Sequence, residues 1–201
     1  IDKPFKKISF TAVAKASLID DELSGIEVIY KADNHFYSSS PYHFGSRIVV
    51  DEKYVYFSIG DRGKQNDAQD PYLPNGKIHR LNLDGSVPKD NPFKNKKNNV
   101  SSIYCLGNRN PQGLAFNSNG ILWELEHGPK GGDELNIIEK GKNYGWPVIT
   151  YGINYNGTKI TDITNKKGME QPIWHWTPSI AVCGMKIYKG EVFSSWEENI
   201  L

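Results

Sequence analysis

The chain contains the segment Arg47-Ile48-Val49-Val50-Asp51 followed, after a two-residue turn, by Tyr54-Val55-Tyr56-Phe57. Such β-branched and aromatic runs around a polar turn predict a β-hairpin. The pattern recurs in Gly113-Leu114-Ala115-Phe116-Asn117 and Ile121-Leu122-Trp123-Glu124, where Leu114 follows Ile48 by 66 positions. A weaker third copy begins at Gly184. A repeat this long, with several antiparallel strands per unit, is typical of β-propeller blades.

The rest of the chain also favours β structure, since no stretch shows a sustained helical period. Dipeptides such as Asp84-Gly85 and Asn119-Gly120 favour tight hairpin turns. We therefore predict an all-β fold and one domain over 1–201, an incomplete propeller of about three to four blades. Closed propellers carry ~4 to 8 blades, so we expect a larger propeller cut at both ends. The further predicted strands are Ile26–Tyr30, Ile48–Val50, Tyr54–Ile59, Ile78–Leu83, Ile103–Leu106, Leu114–Phe116, Ile121–Leu125, Leu135–Ile138 and Met185–Tyr188.

Composition limits the classes of partner. Lys and Arg number 24 against 23 Asp and Glu, a net charge of +1, so no overall field favours nucleic acid or an anionic membrane. No apolar run approaches the ~20 residues of a membrane span, and we predict none. The two cysteines, Cys105 and Cys183, are too few for a disulfide framework, and we expect both to be buried free thiols.

Polar and backbone-special residues are concentrated in two neighbouring segments, 107–114 and 126–136. The first places an arginine, two asparagines and a glutamine beside an apolar strand. The second contains Gly-Pro and Gly-Gly steps, where backbone carbonyls are not crowded by side chains. Such a layout suits an anionic cofactor and a hard cation.

Seven motifs in order make the chain resemble the soluble quinoprotein sugar dehydrogenases, the glucose/sorbosone and aldose sugar dehydrogenase family. The resemblance implies a six-bladed propeller that uses pyrroloquinoline quinone (PQQ) and Ca²⁺, an aldose sugar substrate, an external electron acceptor and a periplasmic or secreted location. It is also compatible with a homodimer. The motifs are His43-Phe44-Gly45-Ser46-Arg47, Gly60-Asp61-Arg62-Gly63, Asn75-Gly76-Lys77-Ile78-His79-Arg80-Leu81, Asp90-Asn91-Pro92-Phe93, Arg109-Asn110-Pro111-Gln112-Gly113, Glu126-His127-Gly128-Pro129 and Gly141-Lys142-Asn143-Tyr144-Gly145-Trp146-Pro147.

His43 is the candidate general base. It precedes a predicted strand and lies beside a glycine, and an imidazole can accept a proton near neutral pH. By itself this pattern also fits a histidine bonded in a turn, but the resemblance implies the catalytic role. Asp61 could orient His43, bind sugar hydroxyls or cap a turn. His79, His127 and His175 lack such context, and we interpret them as structural.

Arg109 is the second candidate catalytic residue and a cofactor contact. Its planar donors suit carboxylates and a quinone oxygen that gains negative charge, although an ion pair with Glu126 or Asp133 is the alternative. The resemblance assigns Asn110 and Tyr155 to the cofactor as well. Gln112 is predicted to shape the substrate wall, with Asp61.

Two calcium sites are implied by the resemblance. Gly128 and Pro129 present consecutive backbone carbonyls, which calcium accepts as ligands, at the cofactor. Glu134 and the carbonyl of Tyr144 match a second, structural site. Without the resemblance, Gly128-Pro129 would be read as a plain loop and Tyr155 as a core residue.

The implied activity is oxidation of an aldose C1 hydroxyl to a lactone. Three alternatives remain from the sequence: a non-catalytic extracellular binding module of the same family, a calcium-dependent lactonase-type propeller, and a purely structural fragment. Other cofactor-gripping residues of the family, a glutamine upstream and a lysine with paired arginines downstream, would lie before Ile1 and after Leu201.

Overall fold

A computed structural model describes residues 7–94 and 100–201. Its strands are antiparallel throughout. The predicted domain range 1–201 includes two segments, 1–6 and 95–99, that lie outside the described residues. The strands are β1 (Ala12–Ile19), β2 (Glu22–Lys31), β3 (Ile48–Val50), β4 (Tyr54–Ile59), β5 (Lys77–Asn82), β6 (Ile103–Leu106), β7 (Pro111–Phe116), β8 (Leu122–Glu126), β9 (Asp133–Ile138) and β10 (Trp174–Trp176).

The strands form one hairpin, β1-β2, and two four-stranded sheets, β3-β4-β5-β6 and β7-β8-β9-β10. In each sheet consecutive strands pair, so the chain runs from an inner strand to an outer strand and then returns to the inner strand of the next sheet. The inner strands of the two sheets lie beside each other, with β3 and β4 next to β7. This is the connectivity of consecutive propeller blades. The predicted all-β propeller fold is confirmed.

Parts of two further sheets flank the complete ones. The β1-β2 hairpin packs against the first sheet through Val13. After the second sheet, Lys186 and Leu201 exchange backbone hydrogen bonds of 2.9 and 2.8 Å, which begins another antiparallel pair. The predicted strand Met185–Tyr188 is therefore present only as the start of this pair, with an isolated bridge at Ile187. The described chain thus contains parts of four sheets.

Strand periodicity distributes side chains between two apolar interfaces. In β4, Val55, Phe57 and Ile59 point toward the hairpin, while Tyr56 points toward the second sheet. Ile78 of β5 joins Tyr56 in the layer between the sheets. Because both faces of β4 are covered, its residues are buried along nearly the whole strand. The first sheet is therefore held mainly by apolar packing.

Topology also explains why distant loops meet. An inner strand begins at the same edge of its sheet where the antiparallel second strand ends. The loops before β3 and after β4 therefore share an edge, and so do the loops before β7 and after β8. These four loops carry most of the candidate site residues.

The cysteine prediction is half right. Cys105 is buried in β6, but Cys183 is exposed. Its Sγ accepts a hydrogen bond of 3.1 Å from the Arg47 guanidinium. The apolar residues around Cys183 in the sequence indicated a strand, but the segment 179–184 is a surface loop in which no strand pairing covers the thiol.

Candidate active site

His43 and Asp61 form a close pair at the shared edge. The His43 Nδ1 atom lies 2.6 Å from Asp61 Oδ1. Asp61 is fully buried, and it also accepts hydrogen bonds from the Gly63 backbone N–H at 2.7 Å and from Trp146 Nε1 at 2.8 Å. A carboxylate is an acceptor, so Nδ1 of a neutral His43 carries the proton and Nε2 is left with its lone pair. This is the tautomer that a general base at Nε2 requires.

The geometry selects among the roles predicted for Asp61. Its two oxygens are already engaged by three donors and have no exposed surface. The predicted direct contact between Asp61 and a sugar hydroxyl therefore finds no support, because that contact would need an accessible oxygen. The geometry favours orientation of His43, with the turn cap at Gly63 as an additional role.

Arg62 fixes the loop that carries His43. Its buried guanidinium donates to the carbonyls of Ser40 at 2.6 Å and Tyr42 at 2.8 Å, and it lies 3.5 Å from the centre of the Phe44 ring. His43 itself has a φ of +53°, a region that non-glycine residues seldom adopt. The hydrogen bonds of Arg62 before His43 and its ring contact with Phe44 after it hold the strained conformation.

Gly60 lets the His43 loop approach the end of β4. A Cβ at this position would lie 2.3 Å from the His43 carbonyl oxygen and 2.9 Å from Asn110 Oδ1. Any side chain would therefore force the loop away from the strand. The glycine before Asp61 is needed for close contact between the base loop and the second sheet.

Asn110 and Gln112 form a polar wall between the two sheets. Asn110 Oδ1 accepts hydrogen bonds of 3.1 Å from both the Gly45 backbone N–H and Gln112 Nε2. Asn110 is buried and Gln112 is partly exposed. The structure thus brings both predicted residues next to the His43 loop, and the amide of Asn110 links that loop to β7.

Arg109 lies on the other side of the pair. Its backbone carbonyl accepts from the Asp61 N–H at 2.8 Å, and its guanidinium donates to the His127 carbonyl at 2.9 Å. The alternative ion pair with Glu126 is not formed, since Glu126 instead accepts a short hydrogen bond from the Arg109 backbone N–H. The Arg109 Nε atom is buried and has no partner among the described residues. Among the described residues the guanidinium makes one hydrogen bond, through Nη1, so Nη2 remains as a donor for an anionic ligand.

Trp146 is a site residue that the sequence interpretation did not single out, and His127, interpreted from the sequence as structural, lies beside it in the site. The guanidinium carbon of Arg109 lies 5.3 Å from the centre of the Trp146 ring, and the same indole bonds Asp61. His127 lines the cavities on both sides of the Gly128 loop. Desolvation lowers the pKa of His127. The motif 141–147 contained Trp146, but no local pattern could indicate its partners.

The Gly128-Pro129 loop is tightly packed. A Cβ on Gly128 would lie 2.2 Å from the Gly132 carbonyl carbon, so only glycine fits. The Gly128 N–H donates to the fully buried Asp133 carboxylate at 2.9 Å. Asp133 also accepts from Ser179 Oγ at 2.8 Å and from two backbone N–H groups of the following loop. Within the described ranges, neither the Gly128 nor the Pro129 carbonyl accepts a hydrogen bond.

Three glutamates share one face of β8 and β9. Glu124 and Glu126 are buried in β8, and Glu134 pairs in register with Glu126. Asn136 Nδ2 donates to Glu124 at 3.0 Å and to Glu134 at 3.3 Å. Desolvation raises the pKa of all three carboxyls, that of Glu134 to about 7. None of the three forms an ion pair with a described side chain.

A small cavity of about 10 Å³ joins the two predicted calcium-site residues Glu134 and Tyr144. Gly128 and Arg109 line the same space. A volume of this size holds about one water molecule or one ion. In residues 7–94 and 100–201, no three His, Cys, Asp or Glu side chains are arranged to hold a metal. A cation here would therefore depend on backbone carbonyls as well as on the carboxylate.

Tyr155 lies in a larger open cavity of about 720 Å³ on the other side of the Gly128 loop. Pro129, His127 and Tyr151 also line this cavity. Tyr155 is 72% exposed, so its alternative interpretation as a core residue is wrong. Hydrogen bonds join His43 to Asp61, Asp61 to the backbone of Arg109, and Asn110 to Gln112. Arg109, Gly128, Glu134 and Tyr144 line the small cavity, and Pro129 and Tyr155 line the larger one.

The family profile described as Glucose / Sorbosone dehydrogenase matches residues 3–201. Aldose sugar dehydrogenase YliI of Escherichia coli (strain K12) is 40% identical over 196 residues, which cover 94% of this chain and 52% of that protein. Quinoprotein glucose dehydrogenase B of Acinetobacter calcoaceticus is 45% identical over 132 residues, 56% of this chain and 27% of that protein. The chain thus spans about half the length, or less, of these curated relatives.

Solved structures agree with the described fold. The apo crystal structure of the soluble aldose sugar dehydrogenase from Escherichia coli superposes with a TM-score of 0.90 at 39% identity, covering 95% of this chain and 56% of that one. The PQQ-bound form of an aldose sugar dehydrogenase from Streptomyces coelicolor gives a TM-score of 0.67 at 27% identity, covering 88% of this chain and 49% of that one.

Proposed function

For this chain, which belongs to the glucose/sorbosone dehydrogenase family, we propose that the natural-length protein oxidises the C1 hydroxyl of an aldose sugar to a lactone with PQQ and Ca²⁺. The observation that carries the proposal is the buried Asp61 carboxylate held 2.6 Å from His43 Nδ1, directly beside the backbone of Arg109. It combines a base with a fixed tautomer and a cation suited to an anionic cofactor.

His43 is the proposed general base. Loss of the C1 hydroxyl proton to His43 Nε2 creates an imidazolium, which the buried Asp61 carboxylate stabilises at Nδ1. When bound, PQQ would supply the two-electron acceptor for the hydride that leaves C1. The protein's contribution is therefore geometry and electrostatics at the hydroxyl proton.

Arg109, Asn110 and Tyr155 are the proposed cofactor contacts in this part of the protein. The Arg109 guanidinium makes one hydrogen bond among the described residues, through Nη1 to the His127 carbonyl, and a guanidinium suits carboxylates and an oxygen that gains charge. Tyr155 exposes its ring in the cavity that Pro129 also lines. Gln112, which holds Asn110, is proposed to shape the sugar-facing wall.

The donor set fits calcium. Glu134 is desolvated without an ion-pair partner, and it shares a one-ion cavity with Tyr144. Gly128 and Pro129 offer carbonyls without hydrogen-bond partners among the described residues. We propose that Glu134 and the Tyr144 carbonyl hold a structural calcium, and that the Gly128 and Pro129 carbonyls hold the calcium at the cofactor.

Further parts of the proposal follow from family membership alone: an external electron acceptor, a periplasmic or secreted location, and compatibility with a homodimer. Among the described residues, no helix has the length and apolar character to cross a membrane.

Reconstitution tests the proposal. The natural-length protein, saturated with PQQ and calcium, is expected to reduce an artificial electron-acceptor dye when an aldose is added, and to do nothing when PQQ is omitted. Product analysis should find the lactone. Hydrolysis of an added lactone without dye reduction would instead support the lactonase-type alternative, and an inactive protein that binds PQQ would support the binding module.

A further inference from the structure

Trp146 lies between the two functional parts of the site. It is 4% exposed, and its Nε1–H donates to Asp61 Oδ2 at 2.8 Å. Its ring lies beneath Arg109, whose guanidinium carbon is 5.3 Å from the ring centre. One side chain therefore contacts both the carboxylate that orients His43 and the proposed cofactor cation.

Two segments hold the backbone of Trp146: the 3-10 turn between β4 and β5, and the connection between β6 and β7. Its N–H donates to the Gly107 carbonyl at 2.8 Å, and its carbonyl accepts from Gln69 Nε2 at 2.7 Å. Gln69 forms a reciprocal amide pair with Asn143, with hydrogen bonds of 3.0 and 2.8 Å. Hydrogen bonds at its backbone N–H and at its carbonyl oxygen therefore hold the backbone of Trp146 beside Asp61.

We propose that Trp146 is a positioning residue that couples the proton affinity of the His43–Asp61 pair to the placement of Arg109. The indole N–H stabilises the charged form of the buried Asp61, and the ring supports the guanidinium by a cation–π contact. The role of the coupling in turnover rests on the proposed function of His43, whereas the contacts of Trp146 do not.

Other charged groups surround the pair, and the Trp146 substitutions leave all of them in place. Arg62 and Asp67 interact electrostatically with Asp61. From the second sheet, His127 interacts with both His43 and Arg109. The effect of the indole N–H on the His43–Asp61 pair is therefore measured with Trp146→Phe, which removes that N–H and leaves these neighbouring groups in place.

The first experiment uses the unmutated natural-length protein without cofactor. With tryptophan labelled by ¹⁵N, the indole N–H resonance of Trp146 is expected to shift with pH at the same midpoint as the His43 ring resonances. Trp123 is the matched control, since its Nε1 is buried without a hydrogen-bond partner among the described residues. A Trp146 resonance that does not change across the His43 transition would overturn the proposal.

The second experiment separates the two contacts. Trp146→Phe removes the N–H but keeps a ring, so the titration midpoint of the His43–Asp61 pair should rise by about one pH unit, a tenfold change in proton affinity. Trp146→Leu removes the ring too and should also weaken PQQ binding about tenfold. Trp123→Phe should change neither quantity.

Equal PQQ affinity in Trp146→Phe and Trp146→Leu would contradict the support of Arg109, and an unchanged midpoint in Trp146→Phe would contradict the coupling to Asp61. Thermal denaturation identifies a variant that fails to fold, in which case the resonance of the unmutated protein decides. These readouts need no turnover. If they hold while the unmutated protein fails to oxidise aldoses, the proposed function fails and the coupling stands.

Discussion

The two complete sheets have the same topology but bury different chemistry. In the first sheet, β4 buries Val55, Tyr56, Phe57 and Ile59. In the second, the corresponding strand β8 contains two buried glutamates, Glu124 and Glu126. The first sheet also buries charged side chains in β5, but Lys77 and Arg80 are hydrogen-bonded there, whereas the buried glutamates of the second sheet have no ion-pair partner among the described residues.

The two sheets of the repeated fold therefore contribute different groups to one site. Buried carboxyls must hold a proton or find a cation, because desolvation penalises the charged form. The first sheet supplies the rigid edge that holds Asp61 and the His43 loop. The second sheet supplies Arg109, the Gly128 loop and the glutamates. The following substitutions and titrations test this division.

Removal of the base and removal of the cation should have different consequences. In the natural-length protein, His43→Ala should reduce turnover by roughly 10²- to 10⁴-fold, because the general base is lost. PQQ binding should stay nearly intact, because His43 is not a proposed cofactor contact. Arg109→Ala should weaken both, because Arg109 is a proposed cofactor contact and its guanidinium would stabilise the charge that develops. Cofactor affinity and aldose-dependent dye reduction are measured for each variant; near-normal turnover in His43→Ala would falsify the assignment.

The stability of the first sheet should depend on side-chain packing and not on calcium. Phe57 is 1% exposed, so Phe57→Ala should lower the free energy of unfolding by about 3–5 kcal/mol. Phe57→Leu, which keeps most of the volume, should cost much less. Chemical denaturation with and without calcium checks this, and a loss in Phe57→Ala that calcium restores would refute the division between the sheets.

The second sheet should depend on calcium. Glu134→Gln keeps the size of the side chain but removes its charge, so calcium-dependent stabilisation should disappear, about 2.7 kcal/mol when calcium is at 100 times its dissociation constant. Glu139→Gln is the matched control, since that glutamate is exposed and lies in the same region. The measurement is thermal denaturation with and without calcium, in the absence of PQQ.

Calcium titration by calorimetry completes that test. Without PQQ, binding should require Glu134, because only this proposed site contains a protein carboxylate. The Gly128-Pro129 site should bind calcium only together with the quinone. Unchanged cofactor-free binding in Glu134→Gln would contradict the proposed distinction between the two sites.

The smallest effect concerns pH. The pKa of Glu134 is raised to about 7 by desolvation, above its usual range, so the calcium-free folded protein keeps a proton that the unfolded chain releases. Stability should therefore fall as pH rises from about 4.5 to 7, by about 1 kcal/mol given the partial access of water to this side chain. Denaturation across this pH range measures the slope, which should flatten in Glu134→Gln.

Strand periodicity and turn residues predicted most of the fold. Eight of the runs of β-branched and aromatic residues became strands or parts of strands. The strands β1 and β10 were missed. β1 carries alanines, a lysine and a serine, and its turn uses Asp20 and Asp21 at positive φ instead of a glycine. β10 is only Trp174–Trp176, and its pairing with β9 defines it.

The candidate site was predictable to the level of residue type. Histidine, aspartate, arginine and Gly-Pro have chemistry that depends little on context, so their motifs identified them as candidates. The choice among the roles of Asp61 was not predictable, because burial and the three donors around its carboxylate come from three separate segments. Trp146 was missed for the same reason, since its partners Asp61 and Arg109 are remote in the chain.

The sequence by itself determined the alternation of strands, the turns and the residue types available for chemistry, because these depend on neighbours within a few positions along the chain. Only the tertiary structure decided which carboxylates lost their water, which donors reached Asp61 and which ring lies beneath Arg109. Desolvation and hydrogen bonding depend on what lies across a contact in space, and here those contacts join loops of two different sheets.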